Sequence, residues 1–489
     1  MPGLRFKIQH MRKIYFISRL LRQLILHLSC QRNFIHLSRT SLSLFALLQL
    51  LSATSFSRAL SSFPSSAPAS ISASPAATAS SPAPDTFYLL KPDRVFDGEQ
   101  LHEGWQVLVH NRMIEAAGAP GSIKIPAGAI VMDLKGATLL PGLIEGHSHL
   151  FLHPYNEVPW DDQVLKESRA ERVARATVHA RATLLAGFTT TRDLGTEGAG
   201  YDDVGLKQAI EKGVIPGPHM IVVTRAIVAT GSYGPKSLSY DIEVPHGAAE
   251  ADGEDALIKE VRTQIGKGAD WIKVYADYRW GPNKVPAATF TVEELKKVVE
   301  VAASSGRQVA VHASTAEGMR RAIQAGVATI EHGDEGTPEL FAAMRERGIA
   351  LCPTLAAGDA IDQYHGWRKG VDSEPEGITK KKKSFQAALA SGVTICMGGD
   401  VGVFPHGDNA REMEMMVNYG MKPLDVLRSA TSVNADVFRI SDQAGRIRAG
   451  IVADLLVVEG NPATNISQIR KVIWVMKEGV IYQEPNRKP

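Results

Sequence analysis

Two histidines separated by one residue end an apolar run in the stretch LLPGLIEGHSHLF, residues 139–151. They are His147 and His149. If the run is a β-strand, residues i and i+2 point to the same face, so both imidazoles can reach one metal ion while Ser148 points away. Imidazole and carboxylate groups suit zinc and similar divalent ions. This pair is therefore a candidate for part of a metal site.

Further residues with metal-binding or acid–base chemistry stand where later apolar runs end. A single one of them could be an ordinary structural side chain, but together with the first pair they form a set at the ends of predicted strands. None of the set is a cysteine, which argues against a closed structural zinc site. We therefore predict a metal site built from His147, His149, Lys273 in WIKVY, His312 in VAVHAS, His332 in TIEHG and Asp400 in MGGD.

Lys273 is the unusual member of this set. An amine with an ordinary pKa of about 10.4 is cationic at neutral pH, and a buried cation facing two metal ions is untenable. Carboxylation by carbon dioxide converts the amine into a carbamate, an anion whose two oxygens can bridge two metals. The alternative is a lysine that forms a salt bridge with Asp270 or Asp277.

Seven glycines indicate an architecture that brings these strand ends together. Each stands between an amphipathic helical pattern and a β-rich run, where a left-handed glycine closes the helix. The seven are Gly187, Gly213, Gly268, Gly306, Gly326, Gly348 and Gly392. With the first strand they predict eight strands alternating with helices, as in an α/β fold of the (β/α)8 TIM-like barrel type, whose active sites lie at the carboxyl ends of the strands. An open doubly wound sheet is the alternative, because counting strands does not prove closure.

Strand-and-turn patterns flank the predicted barrel. Residues 87–140 and 441–485 both alternate short apolar runs with turns. We expect them to form the two parts of a small β-sandwich built from both ends of the mature chain, with the hydrolase barrel at 141–440. Capping patterns agree with the helical assignments between them: Thr291 with Glu294, and Thr337 followed by Pro338.

The first 86 residues differ in composition from the rest. Residues 1–84 contain nine Lys or Arg and no Asp or Glu, with an apolar run at 41–53 followed by a Ser/Ala/Pro-rich linker. We expect a targeting leader that directs the protein to the secretory pathway or to a mitochondrion or plastid. The apolar run is short for a membrane span, so we expect no stable span in the mature form. The remainder carries a net charge of about −7, which disfavours nucleic acid as a partner.

Several stretches resemble the metal-dependent amidohydrolase superfamily over about residues 87–485. They are PGLIEGHSH, WIKVYADY, VAVHAST, TIEHG and MGGD. The chain is most similar to the imidazolonepropionase-like group, which includes Xaa-Pro dipeptidases, related carboxypeptidases and ochratoxinase. The stretches GDNAREMEMMVNYGMKPLDVLRSATSVNA and AGIVADLLVVEGNP also resemble that group. Imidazolonepropionase itself lacks the bridging lysine and uses one metal, so Lys273 favours the binuclear, dipeptidase-like members.

The resemblance implies a role for each residue of the set. His147, His149 and Asp400 would bind the more buried of two metal ions, and His312 and His332 the more exposed one. The carboxylated lysine and a hydroxide would bridge the two ions, for which zinc is expected. The hydroxide would attack an amide carbonyl, and the aspartate would carry its proton to the leaving nitrogen. We also expect a homo-oligomer.

These features together predict a hydrolase that cleaves a C–N bond in a small-molecule amide, such as a dipeptide or an N-acyl amino acid, but not in long peptides. A lactone or phosphotriester hydrolase is the alternative, because the same metal pair serves those reactions. A non-enzymatic scaffold like the dihydropyrimidinase-related proteins is disfavoured, since that class loses metal ligands and all six are present here.

Candidates for substrate binding stand in two loops that follow predicted barrel strands. Tyr233 and Lys236 belong to TGSYGPKSLSYD, and Tyr278 and Arg279 to DYRWGP. They could hold a substrate carboxylate or polarise its carbonyl, with arginine the natural bidentate partner. Loop packing and solvated charge are the alternative for each.

We predict that the leader is removed between Ala53 and Asp85, because neither the basic segment nor the linker offers the periodic apolar residues of a barrel element. N-terminal sequencing of the mature protein from its source tests this. An intact Met1 in the mature form would contradict a targeting role.

Overall fold

Two groups of strands organise the part of the chain that the computed structural model describes, residues 85–239 and 241–484. The predicted leader and its cleavage window lie outside the described residues, apart from the last two positions. The strands are β1 (Phe87–Phe96), β2 (Leu101–Glu103), β3 (Gln106–His110), β4 (Met113–Gly118), β5 (Ile130–Pro141), β6 (Leu143–Ser148), β7 (Phe188–Asp193), β8 (His219–Val222), β9 (Ile227–Val228), β10 (Ala249–Glu250), β11 (Ile272–Tyr275), β12 (Asp277–Tyr278), β13 (Ala287–Ala288), β14 (Val309–Ala313), β15 (Thr329–His332), β16 (Ala350–Cys352), β17 (Leu455–Glu459), β18 (Val472–Lys477) and β19 (Val480–Gln483).

Helices alternate with the central strands. They are α1 (Trp160–Lys166), α2 (Arg169–Leu185), α3 (Asp202–Glu211), α4 (Gly253–Lys267), α5 (Val292–Ala303), α6 (Ala316–Ala325), α7 (Pro338–Glu346), α8 (Leu355–Tyr364), α9 (Glu376–Ser391), α10 (Ala410–Asn418), α11 (Pro423–Arg428) and α12 (Asn434–Val437). Short 3-10 turns cover Pro282–Lys284 and Ile466–Arg470, and a π-helical turn covers Ser429–Val433. Within the described ranges, no helix combines the length and the apolar character that crossing a bilayer requires.

The central strands run parallel to one another in two ladders. One ladder joins β6, β7 and β8, and the other joins β11, β14, β15 and β16 in that order, with the short strands β9 and β10 added beside β11. The two ladders meet where the carbonyl of Val222 accepts hydrogen bonds from the backbone N–H groups of Asp270 (2.8 Å) and Trp271 (3.2 Å). Seven strands are thereby neighbours in chain order.

An irregular segment, residues 393–401, closes the ring. Ile395 bridges Leu351 of β16, and Val401 bridges Ser148 of β6, both in parallel sense. The prediction of a (β/α)8 barrel is confirmed, and the open doubly wound sheet is wrong. The eighth member is nevertheless not a regular strand. Gly398 in this segment packs closely against β6, since a Cβ there would lie 2.7 Å from the backbone nitrogen of His147.

The helix-to-strand junctions follow the predicted turn chemistry. All seven junction glycines have positive φ, between 67° and 110°, the left-handed region that favours glycine. The N-cap of α5 is a capping box. The side chain of Thr291 accepts a hydrogen bond from the backbone N–H of Glu294, and the side chain of Glu294 accepts one from the backbone N–H of Thr291. At α7 the side chain of Thr337 accepts a hydrogen bond from the backbone N–H of Leu340, and Pro338 is the first helical residue. Local signals and the barrel therefore agree.

Strands from both ends of the described chain form one further sheet, in the order β19-β18-β17-β5-β1-β3-β4, with β2 on β1. Met113 at the start of β4 bridges Val452, so the sheet curls back on itself. It encloses a separate apolar core that includes Leu90, Val107, Leu139, Leu455 and Trp474. The small β-sandwich expected from both ends is thus one continuous curled sheet.

This sheet also sets the position of the first barrel strand. β5 runs almost directly into β6, with Gly142 between them, and the N–H of Gly142 donates to the carbonyl of Asp454 at 2.8 Å. The opposite end of β6 carries the first pair of histidines. The C-terminal strands therefore hold the base of the strand that begins the candidate site.

We predict that Trp474→Ala destabilises the fold by about 3–5 kcal/mol, because the indole is fully buried in the core of the curled sheet and truncation leaves a cavity. Val480→Ala in the neighbouring strand is the control, since Val480 is 56% exposed and should change stability by less than about 0.5 kcal/mol. Urea unfolding followed by far-UV circular dichroism measures both. Equal midpoints for the two variants would contradict a core role for Trp474.

Candidate metal centre

The end of β6 and the closing segment bring His147, His149 and Asp400 together. Oδ1 of Asp400 lies 3.3 Å from Nε2 of His149 and 3.6 Å from Nε2 of His147. One ligand atom from each of the three residues lies within 4.8 Å of the others. Both histidines are buried, and the aspartate side chain is 14% exposed. Two imidazoles and a carboxylate at this spacing suit one divalent ion.

Hydrogen bonds from the far ring nitrogens orient the two histidines. Nδ1 of His147 lies 2.9 Å from Oε2 of Glu331, and Nδ1 of His149 lies 2.9 Å from the carbonyl oxygen of Gly195. Each contact leaves Nε2 on the side of Asp400. Such contacts fix the tautomer and the ring orientation of metal-binding histidines.

His312 and His332 form a second group at the ends of β14 and β15. Their ring centroids are 4.4 Å apart, and the ring of His332 lies 5.2 Å from that of His147. Nδ1 of His332 lies 2.8 Å from the hydroxyl of Thr354, and His312 stacks on Tyr275 at 4.5 Å. The four predicted histidines are thus neighbours at one end of the barrel.

Lys273 projects from β11 and is buried. Its Nζ has no hydrogen-bond partner within the described ranges and lies 5.6 Å from the ring centroid of Tyr275. Asp270 instead pairs with Lys207 at 2.8 Å, and Asp277 accepts hydrogen bonds from the start of α6. The salt bridge considered as the alternative for Lys273 is therefore absent from the described interactions.

Burial controls the charge of these groups. It lowers the pKa of His147 to about 4 and that of His312 to about 3, so both rings are neutral at pH 7, the form that binds metal. Burial also lowers the pKa of Lys273, which favours the free amine. Burial acts to raise the pKa of Glu331, but the guanidinium of Arg192 holds it well below its usual range. The carboxylate behind His147 is therefore an anion.

Two of the six residues have strained backbones. His332 has φ 76° and Asp400 has φ 61°, a region that residues with side chains rarely adopt. Thr354, which bonds to His332, has φ 50°. Strain of this kind persists only where the surrounding structure fixes it, and it concentrates at functional sites.

The four predicted substrate-binding residues divide into two pairs. Tyr233 is buried, and its ring lies 4.8 Å from that of Tyr278, which in turn lies 6.0 Å from His312. Lys236 and Arg279 are exposed. The structure thus brings the tyrosines next to the metal-binding group, and it leaves the two cations at the surface.

Buried charged residues that the sequence analysis did not select support the set from behind. Arg192 donates to Oε1 of Glu331 at 2.9 Å, and Glu145 accepts from the backbone N–H groups of His147 (3.0 Å) and Gly399 (2.9 Å). The sequence could have indicated Glu145, because it stands two residues before His147 and therefore on the same side of the strand. A carboxylate inside an apolar run is itself unusual.

Comparison with known proteins identifies relatives over most of the described chain. The model of the amidohydrolase family matches residues 138–482. Ochratoxinase from Aspergillus niger is 29% identical over 432 residues, which cover 80% of this chain and 85% of that protein.

Solved structures give the same picture. A Xaa-Pro dipeptidase with methionine bound in its active site is 31% identical with a TM-score of 0.72, covering 81% of this chain and all (100%) of that chain. A prolidase in complex with N-methylphosphonate-L-proline is 28% identical with a TM-score of 0.70, covering 82% and 100% of the respective chains.

We predict that Lys273→Ala binds substantially less metal than the wild type, because two adjacent cations would then lack the bridging anion expected from a carboxylated lysine at this position. Metal analysis of the purified proteins measures this, with and without added short-chain carboxylic acids, which can restore a bridging carboxylate. Lys207→Ala is the control, since this lysine pairs with Asp270 and is partly exposed. Full metal content and activity in Lys273→Ala without rescue would contradict a bridging role.

Proposed function

The chain belongs to the amidohydrolase family, and on that premise we propose that this hydrolase of carbon–nitrogen bonds holds two divalent metal ions and cleaves a dipeptide or an N-acyl amino acid. Zinc is the ion that the imidazole-rich donor set favours. His147, His149 and Asp400 would hold one ion, and His312 with His332 the other.

The observation that carries this proposal is the buried, unpaired amine of Lys273 beside four histidines. The free amine attacks carbon dioxide, a C–N bond forms, and one proton leaves to solvent, which yields a carbamate. The carbamate is an anion and can bind metal, whereas a cationic lysine at the same position would repel it. The chemistry of the donor set therefore fits two ions bridged by this group.

A pair of divalent ions held by these residues would supply a hydroxide at neutral pH, and the same ions would polarise the substrate carbonyl. The residues of the chain do the rest. Asp400 accepts the proton of the attacking hydroxide and delivers it to the leaving nitrogen, which departs as a neutral amine. Its strained backbone and its 3.3 Å approach to His149 support a fixed position for the carboxylate.

The ligands of two relatives support an amino acid-type substrate. Methionine occupies the active site of the similar Xaa-Pro dipeptidase, and a proline derivative binds the similar prolidase. Tyr233 and Tyr278 lie beside the metal-binding group and are placed to contact such a substrate. The leader's destination and the expected homo-oligomer stay predictions.

We predict that Asp400→Asn lowers turnover by about 10²- to 10⁴-fold while substrate affinity changes far less, because the amide can still offer an oxygen to a metal but cannot shuttle a proton. The defect should be smaller on an activated ester or anilide, whose leaving group needs less protonation. Steady-state kinetics on a poor and a good leaving group, with metal content checked, measures this.

The matched control is Asp270→Asn, because Asp270 lies at the opposite end of the barrel strands and pairs with Lys207. It should keep near-normal turnover. An equal defect of Asp400→Asn on both substrates, with metal retained, would mean that Asp400 is a ligand only. Hydrolysis of lactones or phosphotriesters but of no amide by the wild type would overturn the proposed reaction.

A further inference from the structure

A buried carboxylate outside the metal-binding set lies beside it. Glu197 stands in the loop after β7 and is 2% exposed. A methyl group built at Gly195 would lie 3.3 Å from Oε1 of Glu197 and 3.7 Å from Cε1 of His149, so the two side chains flank the same point. Glu197 also has φ 49°, in the left-handed region. Its backbone is therefore strained where it aims a carboxylate toward a metal ligand.

Only one oxygen of this carboxylate is satisfied. Oε2 accepts hydrogen bonds from the hydroxyl of Tyr233 at 2.5 Å and from Nε1 of Trp160 at 3.0 Å. Oε1 is buried without a hydrogen-bond partner in the described part of the chain. The guanidinium of Arg172 donates to the backbone carbonyl of Glu197 at 2.7 Å, and no ion pair reaches the carboxylate from any described residue. A buried carboxylate oxygen without a hydrogen-bond partner is costly, so this oxygen lacks a donor.

Aromatic side chains cluster around Tyr233, which contacts the same carboxylate. The ring of Tyr233 lies 5.0 Å from Trp160, 5.1 Å from Tyr275 and 4.8 Å from Tyr278. Tyr275 in turn stacks on His312, so the aromatic group extends from Glu197 to the metal-binding histidines. Aromatic faces attract cations, most of all where water is excluded. Carboxylate and rings together favour a cationic group and disfavour an anionic one.

We propose that Glu197 binds the free α-ammonium group of the substrate residue that carries the scissile carbonyl. The inference rests on the proposed function. In a dipeptide this ammonium is two bonds from the carbonyl carbon, so a carbonyl held at the metal-binding residues brings the ammonium close to His149 and Glu197. An N-acyl amino acid has no charge at this position and leaves Oε1 unpaired. The substrate class is therefore an unblocked dipeptide or aminoacyl amide.

The test compares substrates that differ only in the amine. Matched pairs are L-alanyl and propionyl derivatives of the same set of leaving amino acids, assayed with wild type and Glu197→Gln. The glutamine keeps an oxygen that can accept from Tyr233 and Trp160, but it offers no charge to an ammonium. We expect the wild type to prefer the alanyl substrate by about 10²-fold or more in kcat/KM. Glu197→Gln should lose about 10- to 100-fold on that substrate, mainly through KM, and change little on the propionyl one.

Glu157→Gln is the matched control, because Glu157 is a loop glutamate whose side chain is 56% exposed. It should behave as the wild type on both substrates. Metal content is measured for every variant. Loss of metal in Glu197→Gln, an equal loss on both substrates, or a wild type that cleaves the propionyl substrate equally well each overturns ammonium recognition.

A wild type that cleaves neither member of any pair would overturn the proposed function. A binding measurement then tests ammonium recognition by Glu197 separately. Calorimetry compares L-alaninamide with propanamide on the metal-loaded wild type and on Glu197→Gln. A preference for the amine that disappears in the variant supports ammonium recognition. Equal affinity of the wild type for both amides overturns it.

Discussion

The metal-binding end of the barrel depends on one buried ion pair, between Arg192 of β7 and Glu331 of β15. Both side chains are fully buried, and their closest atoms are 2.9 Å apart. The second oxygen of Glu331 holds Nδ1 of His147, and Nε of Arg192 donates to the carbonyl of Gly146 at 2.8 Å. Breaking such a pair by removing one partner costs about 3–5 kcal/mol, because the other charge stays buried. Three barrel strands and the orientation of one predicted ligand therefore depend on the same contact.

Charge balance explains why so many carboxylates surround the imidazoles. The two divalent ions that we propose would need anions, and among the six predicted ligands only Asp400 is an anion without modification. A carbamate at Lys273 would supply a second negative charge between the ions. Behind the ligands, Glu331 stays ionised, and burial raises the pKa of Glu145 to about 7, so a nearby cation would readily favour its charged form. The centre is thus organised for cations before any is bound.

The sequence was most informative where chemistry follows strand geometry. The barrel could be predicted because each junction glycine marks a left-handed turn, and the proximity of the strand-end residues because a barrel brings strand ends to one rim. The irregular closing segment could not be predicted, since MGGD reads as a strand end and the residues that Gly398 packs against, Cys352 and His147, are distant in sequence. The solvent exposure of loop side chains could not be predicted from the sequence either. Tyr233 and Lys236 are three residues apart in one loop, yet the structure buries the first and exposes the second.

The supporting residues escaped prediction because their partners are distant in sequence, and Arg172 of α2 shows why such contacts matter. This arginine is 2% exposed and donates to the backbone carbonyls of Phe151, Thr196 and Glu197, in the loops that follow β6 and β7. A helical arginine amid charged neighbours has no local pattern that marks it as buried. Its guanidinium satisfies carbonyls that loops at the barrel rim would otherwise present to water, and it fixes the two loops relative to each other. The histidines stand on strands that the core holds rigid, whereas Glu197 stands on a loop. A buried arginine clamp gives that loop the fixed geometry that a strand provides for the metal ligands.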